Sequence, residues 1–279
     1  MMTINSVNQS QVYAKSRSIY GIPVQLHGTS NTFDLGGIKA KNGMTIKPNR
    51  LIRSDSLFKL TYKDKWRLDK QSHLRVVIDF RSTTEMHQMP DKELSYAVIH
   101  HLSVMADPRF GVHSPKQYAV QLAHRQSNNM QLFYKKMVTN RHSIKTYQKM
   151  FKLLLNNRSG AVLYHCTHGK DRTGIATMLI LSSLGVPKKA IFQNYLQSNQ
   201  ALRSFNKIEQ HQIKRITHNR RTLLNLKRSQ VASRSYLRAA YSAIDHQSGS
   251  VKNYLKHKMK LSNSAISTLR KDYLTKHQP

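Results

Sequence analysis

Residues 164–174 read Tyr164-His165-Cys166-Thr167-His168-Gly169-Lys170-Asp171-Arg172-Thr173-Gly174 and include the single cysteine of the 279-residue chain. A short apolar run, 161–164, leads into this stretch, and a longer apolar run, 175–181, follows it. This order of apolar runs around a glycine-containing loop predicts a strand, a tight loop and a helix. The loop has the pattern H-C-x5-R-[S/T]-G, which places a thiol at the base of a phosphate-binding loop.

The residue types of this loop suit the binding of a phosphate dianion. Backbone N–H groups of a strand-to-helix loop and the positive end of the following helix would point at the anion. The same groups are expected to stabilise a thiolate at Cys166, and the planar guanidinium of Arg172 can bind two phosphate oxygens. Gly169 and Gly174 permit tight curvature of the backbone. The predicted phosphate ligands are Thr167, His168, Gly169, Lys170, Arg172 and Thr173.

The predicted chemistry consists of two displacements at phosphorus. Cys166 would take the phosphoryl group while an acid protonates the leaving oxygen, and water would then hydrolyse the phosphocysteine. Thr173 is expected to donate its hydroxyl to the thiolate, and His165 to hydrogen-bond the loop backbone. The reaction needs no cofactor, and the sequence shows no cluster with metal-ligand spacing, so we expect no metal.

The identity of the general acid stays open from the residues alone. Asp171 lies beside the nucleophile, although it could instead accept hydrogen bonds that stabilise the loop. Asp79, at the end of a β-branched run, is a second candidate, but it could form an ion pair with Arg81 or Arg172. Asp107 is a third candidate.

Other motifs place further segments in the same site. The β-branched run 75–81 predicts a strand buried on both faces of a parallel sheet, with Asp79 and Arg81 at the end where such sheets bind ligands. Ser82 and Glu85 form a capping box, which we interpret as a purely structural helix start. Lys170 is expected either to contact a second phosphate or to lie at the rim.

The loop resembles that of a bacterial tyrosine phosphatase family with the pattern H-C-x-x-G-K-D-R-T-[A/G], within the Cys-dependent protein tyrosine phosphatase superfamily. Family patterns also resemble Phe33-Asp34-Leu35-Gly36-Gly37 (which lacks the family's arginine), Arg53-Ser54-Asp55-Ser56-Leu57, Asp79-Phe80-Arg81 with Glu85 and Pro90-Asp91, Leu184-Gly185-Val186 and Tyr195-Leu196-Gln197-Ser198-Asn199. The resemblance runs from about residue 24 to the end. His168, where the family has a small residue, and Asn194, where it has Asp, depart from the pattern.

The resemblance implies the fold of the Cys-based phosphatases and a phosphatase function. The expected fold class is α/β, with a central, mostly parallel sheet flanked by helices, an α-helical insertion or lid at 108–142 and a helical C-terminal part. We expect a flexible N-terminal arm over 1–20 and a single phosphatase domain over 21–279. The resemblance also favours Asp171 as the general acid and extends the substrate range to phosphoserine, phosphothreonine and phosphoinositides.

The charge of the chain indicates anionic partners. The sequence contains 46 Lys and Arg residues against 13 Asp and Glu residues, a net charge of +33. Such a field attracts phosphorylated proteins, phosphoinositides and anionic lipid surfaces, although it could equally serve solubility alone. Nucleic acid is disfavoured because aromatic residues do not interleave with the basic ones. The oligomeric state stays unknown.

The N-terminal segment 1–20 is polar and lacks the apolar stretch of a signal peptide. No apolar run approaches the length of a membrane span. We therefore expect a cytoplasmic location, with secretion by a non-standard route left open.

The sequence is compatible with three functions. The first is a phosphoric monoester hydrolase that acts as a protein tyrosine phosphatase through a phosphocysteine. The second is a phosphoinositide or dual-specificity phosphatase that uses the same loop, which Lys170, His168 and the basic surface keep open. The third is a non-enzymatic module that reads phosphate, whose sequence marker would be the loss of Cys166 or Arg172.

Overall fold

A six-stranded sheet forms the centre of the computed structural model, which describes residues 18–106 and 114–276. The strands of the chain are β1 (Ile22–Pro23), β2 (Phe33–Asp34), β3 (Thr45–Ile46), β4 (Leu51–Ser54), β5 (Leu74–Asp79), β6 (Val98–His101), β7 (Ala161–His165) and β8 (Leu274–Thr275). The order in the large sheet is β1-β2-β4-β7-β5-β6, while β3 and β8 pair separately. Strands β4, β7, β5 and β6 are parallel, and β1 and β2 form an antiparallel edge.

Helices cover both faces of this sheet and make up the C-terminal part of the chain. They are α1 (Tyr62–Lys70), α2 (Thr83–Gln88), α3 (Pro115–His124), α4 (Asn129–Thr139), α5 (Arg141–Asn156), α6 (Arg172–Ser183), α7 (Lys188–Ala201), α8 (Arg203–Ile216), α9 (Arg220–Gln230), α10 (Arg234–Ser248), α11 (Val251–His257) and α12 (Asn263–Tyr273). The predicted α/β class, with a mostly parallel sheet and a helical C-terminal part, is confirmed. Within the described ranges, no helix combines the length and apolarity needed to cross a bilayer.

Two predicted segments are only partly described. Of the expected arm over 1–20, the structure describes one turn of 3₁₀ helix at Ser18–Tyr20, and the rest lies outside the described residues. Of the expected insertion at 108–142, residues 108–113 lie outside the described part, while α3, α4 and the start of α5 are helical. Its role as a lid stays a prediction.

Strand β7 and helix α6 lie at the centre of the molecule. Because side chains alternate along a strand, Val162 and Tyr164 face the larger apolar core, and Ala161 and Leu163 face the smaller core on the other side of the sheet. Every residue of α6 except Ser182 is buried. The loop between β7 and α6 is therefore anchored at both ends by rigid, fully packed elements.

The register of the parallel strands determines where the site lies. Ser54 at the end of β4 and Asp79 at the end of β5 both pair with His165 at the end of β7. The chain segments that leave these three strands therefore converge at one edge of the sheet. This is the edge at which open α/β sheets bind their ligands.

Helices α3, α8 and α9 form a separate three-helix group beside this edge. The group has its own small apolar core, made of Tyr118, Ala119, Leu122, Ile213 and Leu226. It packs beside the main core as a satellite cluster.

Candidate active site

The loop 166–171 is held close to the end of β4. Gly169 has a φ of 64°, and a Cβ atom there would lie 2.6 Å from both Ser54 O and Asp55 N. Only glycine accommodates this combination of left-handed backbone and close approach. The backbone N–H of Ser56 donates to Thr167 O at 3.2 Å, so the segment that follows β4 is hydrogen-bonded to the loop just before the glycine.

Arg53 supports the loop from below. Its guanidinium donates to Gly169 O at 3.4 Å, to Asn31 Oδ1 at 3.1 Å, to Ser198 Oγ at 3.2 Å and to Asn194 O at 3.0 Å. All these acceptors are neutral, and burial lowers the pKa of Arg53 to about 10. The side chain therefore acts as a multiple hydrogen-bond donor that fixes the loop to β4 and α7.

Arg172, at the first position of α6, forms a bidentate ion pair with Glu85. Its Nη1 and Nη2 atoms each lie 2.6 Å from a carboxylate oxygen of Glu85, and Nη1 also donates to Met105 O at 2.9 Å. Thr167 Oγ1 donates to the same carboxylate. Glu85 thus fixes the plane of the guanidinium and joins it to the loop 166–171.

Glu85 makes a second set of contacts, with Arg172 and Thr167, that the sequence did not predict. The predicted capping box is present, because Glu85 accepts hydrogen bonds from Ser82 N and Ser82 Oγ at 2.9 Å. The interpretation of Glu85 as only a cap is wrong, since the same carboxylate binds Arg172. Burial favours a raised pKa for Glu85, but Arg172, Thr167 and Ser82 hold that pKa below its usual value.

Cys166 lies at the bottom of the loop with 1% of its surface exposed. Thr173 is buried nearby on α6, and its Oγ1 has no hydrogen-bond partner within the described part of the chain. The predicted bond from this hydroxyl to the thiol is therefore not formed in this structure. His165 Nδ1 lies 3.4 Å from Cys166 O, so the histidine contacts the loop backbone from the strand side.

Lys170 and Asp171 form a buried pair. Lys170 Nζ lies 2.9 and 2.8 Å from the two carboxylate oxygens of Asp171, and Tyr134 Oη donates to Asp171 Oδ1 at 2.6 Å. Tyr134 belongs to α4, within the segment predicted as an insertion, and its Oη lies 2.8 Å from Tyr195 Oη. The rim position predicted for Lys170 is wrong, because its side chain is 1% exposed.

Asp79 and Arg81 lie in a second buried charge cluster beneath the loop. Arg81 Nη2 lies 2.8 Å from Asp79 Oδ2 and 2.8 Å from Asp91 Oδ2. Burial favours a raised pKa for Asp79, but His165, His101 and Arg81 hold that pKa far below its usual range. A carboxyl group held in its ionised form is a poor proton donor, which disfavours Asp79 as the acid. Asp107 lies outside the described residues.

This cluster also contains potential metal ligands. Ligand atoms of Asp79, Asp91 and His165 all lie within 4.8 Å of one another, the one such group found among the described residues. The guanidinium of Arg81 already contacts both carboxylates, so a side chain supplies the positive charge that a metal would bring. The group was not predicted from the sequence because His165 is distant in the chain from Asp79 and Asp91.

A cavity of about 320 Å³ opens beside the phosphate loop. Thr167 and His168 form part of its wall, and Phe58, Met89 and Phe205 make another part apolar. The His168 ring meets the Phe205 ring edge-on, with the ring centroids 5.1 Å apart. His168, one of the three departures from the family pattern, therefore borders this cavity.

Comparison with known proteins agrees with this geometry. A sequence model of the tyrosine phosphatase family matches residues 24–275. The chain belongs to the tyrosine phosphatase family. A protein of Cupriavidus necator named as a tyrosine-protein phosphatase is 30% identical to this family member over 250 residues, which cover 88% of this chain and 86% of that protein. A tyrosine-protein phosphatase of Nostoc commune is 48% identical over 54 residues, 19% of this chain and 18% of that protein. The resemblance inferred from the sequence is confirmed.

We predict that the charge cluster beneath the loop makes stability fall at alkaline pH. Burial alone would lower the pKa of His165, but Asp91 and Asp79 outweigh it and raise this pKa to about 9. A histidine whose pKa rises on folding stabilises the fold fully below about pH 6.5, and this contribution is lost as the pH rises through about 9. The expected loss is about 3 kcal/mol of unfolding free energy.

Urea denaturation between pH 6 and about 10 measures this effect in the wild type and in Asp91→Asn. The asparagine keeps an acceptor for the Leu57 N–H, which Asp91 Oδ1 binds at 3.0 Å. Because the variant lacks the nearer anion, its stability should depend less on pH over this range. Parallel profiles of stability against pH for the two proteins would contradict the assignment of the alkaline loss of stability to His165 and Asp91.

We predict that Glu85→Gln lowers kcat/KM for an aryl phosphate by about 100-fold. Without the carboxylate, the guanidinium of Arg172 is no longer fixed and binds the phosphate oxygens with the wrong geometry. Ser82→Ala is the matched control. It removes a capping hydroxyl at a cost of about 1 kcal/mol of stability, but it leaves the carboxylate on Arg172. Steady-state kinetics and thermal denaturation of both variants separate the two roles. Equal activities of the two variants would show that Glu85 acts only as a cap.

Proposed function

We propose that this family member is a protein tyrosine phosphatase that hydrolyses phosphoric monoesters through a phosphocysteine intermediate. The observation that carries the proposal is the arrangement of Cys166 at the base of the loop, with the guanidinium of Arg172 fixed at the start of α6 by Glu85. In a strand-to-helix loop, backbone N–H groups and the N-terminus of the following helix, here α6, are expected to face the same anion, which suits a transferring phosphoryl group.

In the first step, Cys166 Sγ attacks phosphorus, an S–P bond forms and the P–O bond to the leaving group breaks. Asp171 gives its proton to the departing oxygen. In the second step, Asp171 takes a proton from water, the resulting hydroxide attacks phosphorus, and the S–P bond breaks to release phosphate and the thiolate. Arg172 and the loop N–H groups stabilise the negative charge that is spread over the other phosphate oxygens.

Lys170 connects substrate binding to the acid in this proposal. Its ammonium group bonds both oxygens of Asp171, and the next residue, Arg172, is the principal phosphate ligand. A dianionic phosphate in the loop would compete with Asp171 for this ammonium group, and the carboxylate released from the ion pair would take up the proton that it donates in the first step. Tyr134, which donates to Asp171 Oδ1, would then keep the carboxyl group oriented.

The cavity beside the loop favours an aryl ester. Phe58 and Phe205 suit the flat phenyl ring of phosphotyrosine, whose apolar faces gain most from burial against aromatic side chains. Lys59 and His168 also line this cavity, and with the net charge of +33 they favour the alternative of a phosphoinositide or dual-specificity phosphatase. A panel of phosphotyrosine peptide, phosphoserine peptide and soluble inositol phosphates ranks these substrates. The presence of both Cys166 and Arg172 argues against a module that binds phosphate without turnover.

Replacing the nucleophile should abolish turnover but keep phosphate binding. We expect Cys166→Ser to lower kcat for para-nitrophenyl phosphate by at least about 10⁴-fold, because the hydroxyl is a far weaker nucleophile. Arg172→Lys should lose phosphate affinity as well, since lysine cannot bind two oxygens in one plane. Kinetics and calorimetry with inorganic phosphate measure both effects. A Cys166→Ser variant with full turnover would exclude the thiol mechanism.

Removing the acid should matter most for a poor leaving group. We expect Asp171→Asn to slow the hydrolysis of a phosphotyrosine peptide by about 10²–10⁴-fold, and that of an activated nitrophenyl ester much less. Asp79→Asn is the comparison, and it should show no such dependence on the leaving group. If Asp79→Asn alone discriminates between the two esters, the role belongs to Asp79.

A further inference from the structure

Helix α8 exposes apolar side chains to solvent. It is amphipathic, yet Ile213 is the single residue of the helix that is buried. Ile208 is 61% exposed and Phe205 is 41% exposed. The helix already packs against the protein through Ile213, so the exposed apolar side chains suggest a surface that binds an external partner.

Basic side chains surround these apolar ones. Lys207, His211 and Arg215 recur every four residues, so they lie on one side of the helix, and all three are exposed. Together with Ile208 and Gln212 they line a shallow surface depression. We refer to these five residues, Lys207, Ile208, His211, Gln212 and Arg215, as the α8 face.

The α8 face carries no negative side chain. The single carboxylate of α8, Glu209, is turned towards α9, where its Oε2 accepts a hydrogen bond from Gln230 Nε2 at 2.6 Å. Helix α9 contains no acidic residue and exposes Arg220, Arg221 and Lys227. The neighbouring helix therefore adds to the positive electrostatic potential around the α8 face.

We propose that the α8 face docks on the surface of an anionic lipid bilayer. An amphipathic helix with basic residues around an apolar centre lies in the headgroup region, where its apolar side chains enter the acyl boundary and its cations meet anionic lipids. A soluble polyanion such as nucleic acid would use the cations but would leave Ile208 without a partner. The exposed isoleucine at the centre of the cationic face therefore favours the bilayer.

The position of α8 connects this surface to the candidate active site. Phe205 and Glu209 line the same cavity as Thr167 and His168. Docking through the α8 face would bring the mouth of this cavity to the bilayer surface. The inference does not rest on the proposed function, because binding to a vesicle requires no turnover.

Sedimentation with lipid vesicles tests the proposal. The full chain is mixed with vesicles of phosphatidylcholine alone, or of phosphatidylcholine with roughly one third phosphatidylserine. The wild type should bind the anionic vesicles and not the neutral ones. The double variant Lys207→Glu/Arg215→Glu should bind at least about 25-fold more weakly, since each basic residue near an anionic leaflet contributes roughly fivefold. Ile208→Ser should lose roughly tenfold.

The matched control is Lys252→Glu/Lys256→Glu on α11. It changes the net charge by the same amount at two exposed positions of another helix, and it should bind the anionic vesicles within about threefold of the wild type. Circular dichroism checks that each variant is folded.

Three results would overturn the proposal. Equal losses in the two double variants would show a response to net charge alone. Wild-type binding by Ile208→Ser would show that no apolar side chain enters the bilayer. Displacement of the protein from anionic vesicles by duplex DNA at an equal concentration of phosphate groups would assign the face to soluble polyanions.

Discussion

The bidentate ion pair between Glu85 and Arg172 joins two segments that are 87 residues apart in the chain. Both side chains are buried, so either one alone would leave an uncompensated charge in the interior. Glu85 can hold this position because it also caps α2, directly after β5, while Arg172 begins α6, directly after the loop. The pair therefore connects the two parallel strands β5 and β7 at the edge where the site lies. Through the hydrogen bond from Thr167 Oγ1, the same carboxylate also fixes Arg172 relative to the loop 166–171.

Buried charges in the site are balanced locally, with one exception. Arg81 has Asp79 and Asp91, and Lys170 has Asp171, whereas Arg53 meets neutral acceptors. Two of the three departures from the family pattern adjoin Arg53: the arginine missing next to Phe33, and Asn194 in place of aspartate. The guanidinium of Arg53 lies over the ring of Phe33, next to the missing arginine, and donates to the carbonyl of Asn194, where the family has aspartate. The two departures remove one cation and one anion, so together they leave the formal net charge of the chain unchanged.

The sequence predicted those features that depend on residues close together in the chain. Apolar runs and the glycine-rich loop indicated β7, the loop and α6, and the capping box at Ser82 was correct. The ion pair of Asp79 with Arg81, two residues away, was also among the alternatives. The contacts of Glu85 with Arg172 and of Asp171 with Tyr134 were missed because the packing of distant segments selects them. Tyr134, for example, lies 37 residues from Asp171 and comes from a segment whose composition indicated only a polar helix.

The burial of Cys166 has a consequence for the redox chemistry of this protein. Because the chain contains a single cysteine, a sulfenic acid formed on Cys166 has no second thiol in the chain with which to form a disulfide. Recovery of the thiol would need an external thiol as the reductant, because condensation with a neighbouring backbone nitrogen gives a sulfenamide in which the sulfur is still oxidised. With 1% of its surface exposed, the sulfur is shielded from large reductants and oxidants alike. Small peroxides are therefore the oxidants to which the sulfur of Cys166 is most accessible, and small thiols are the reductants best suited to restore it.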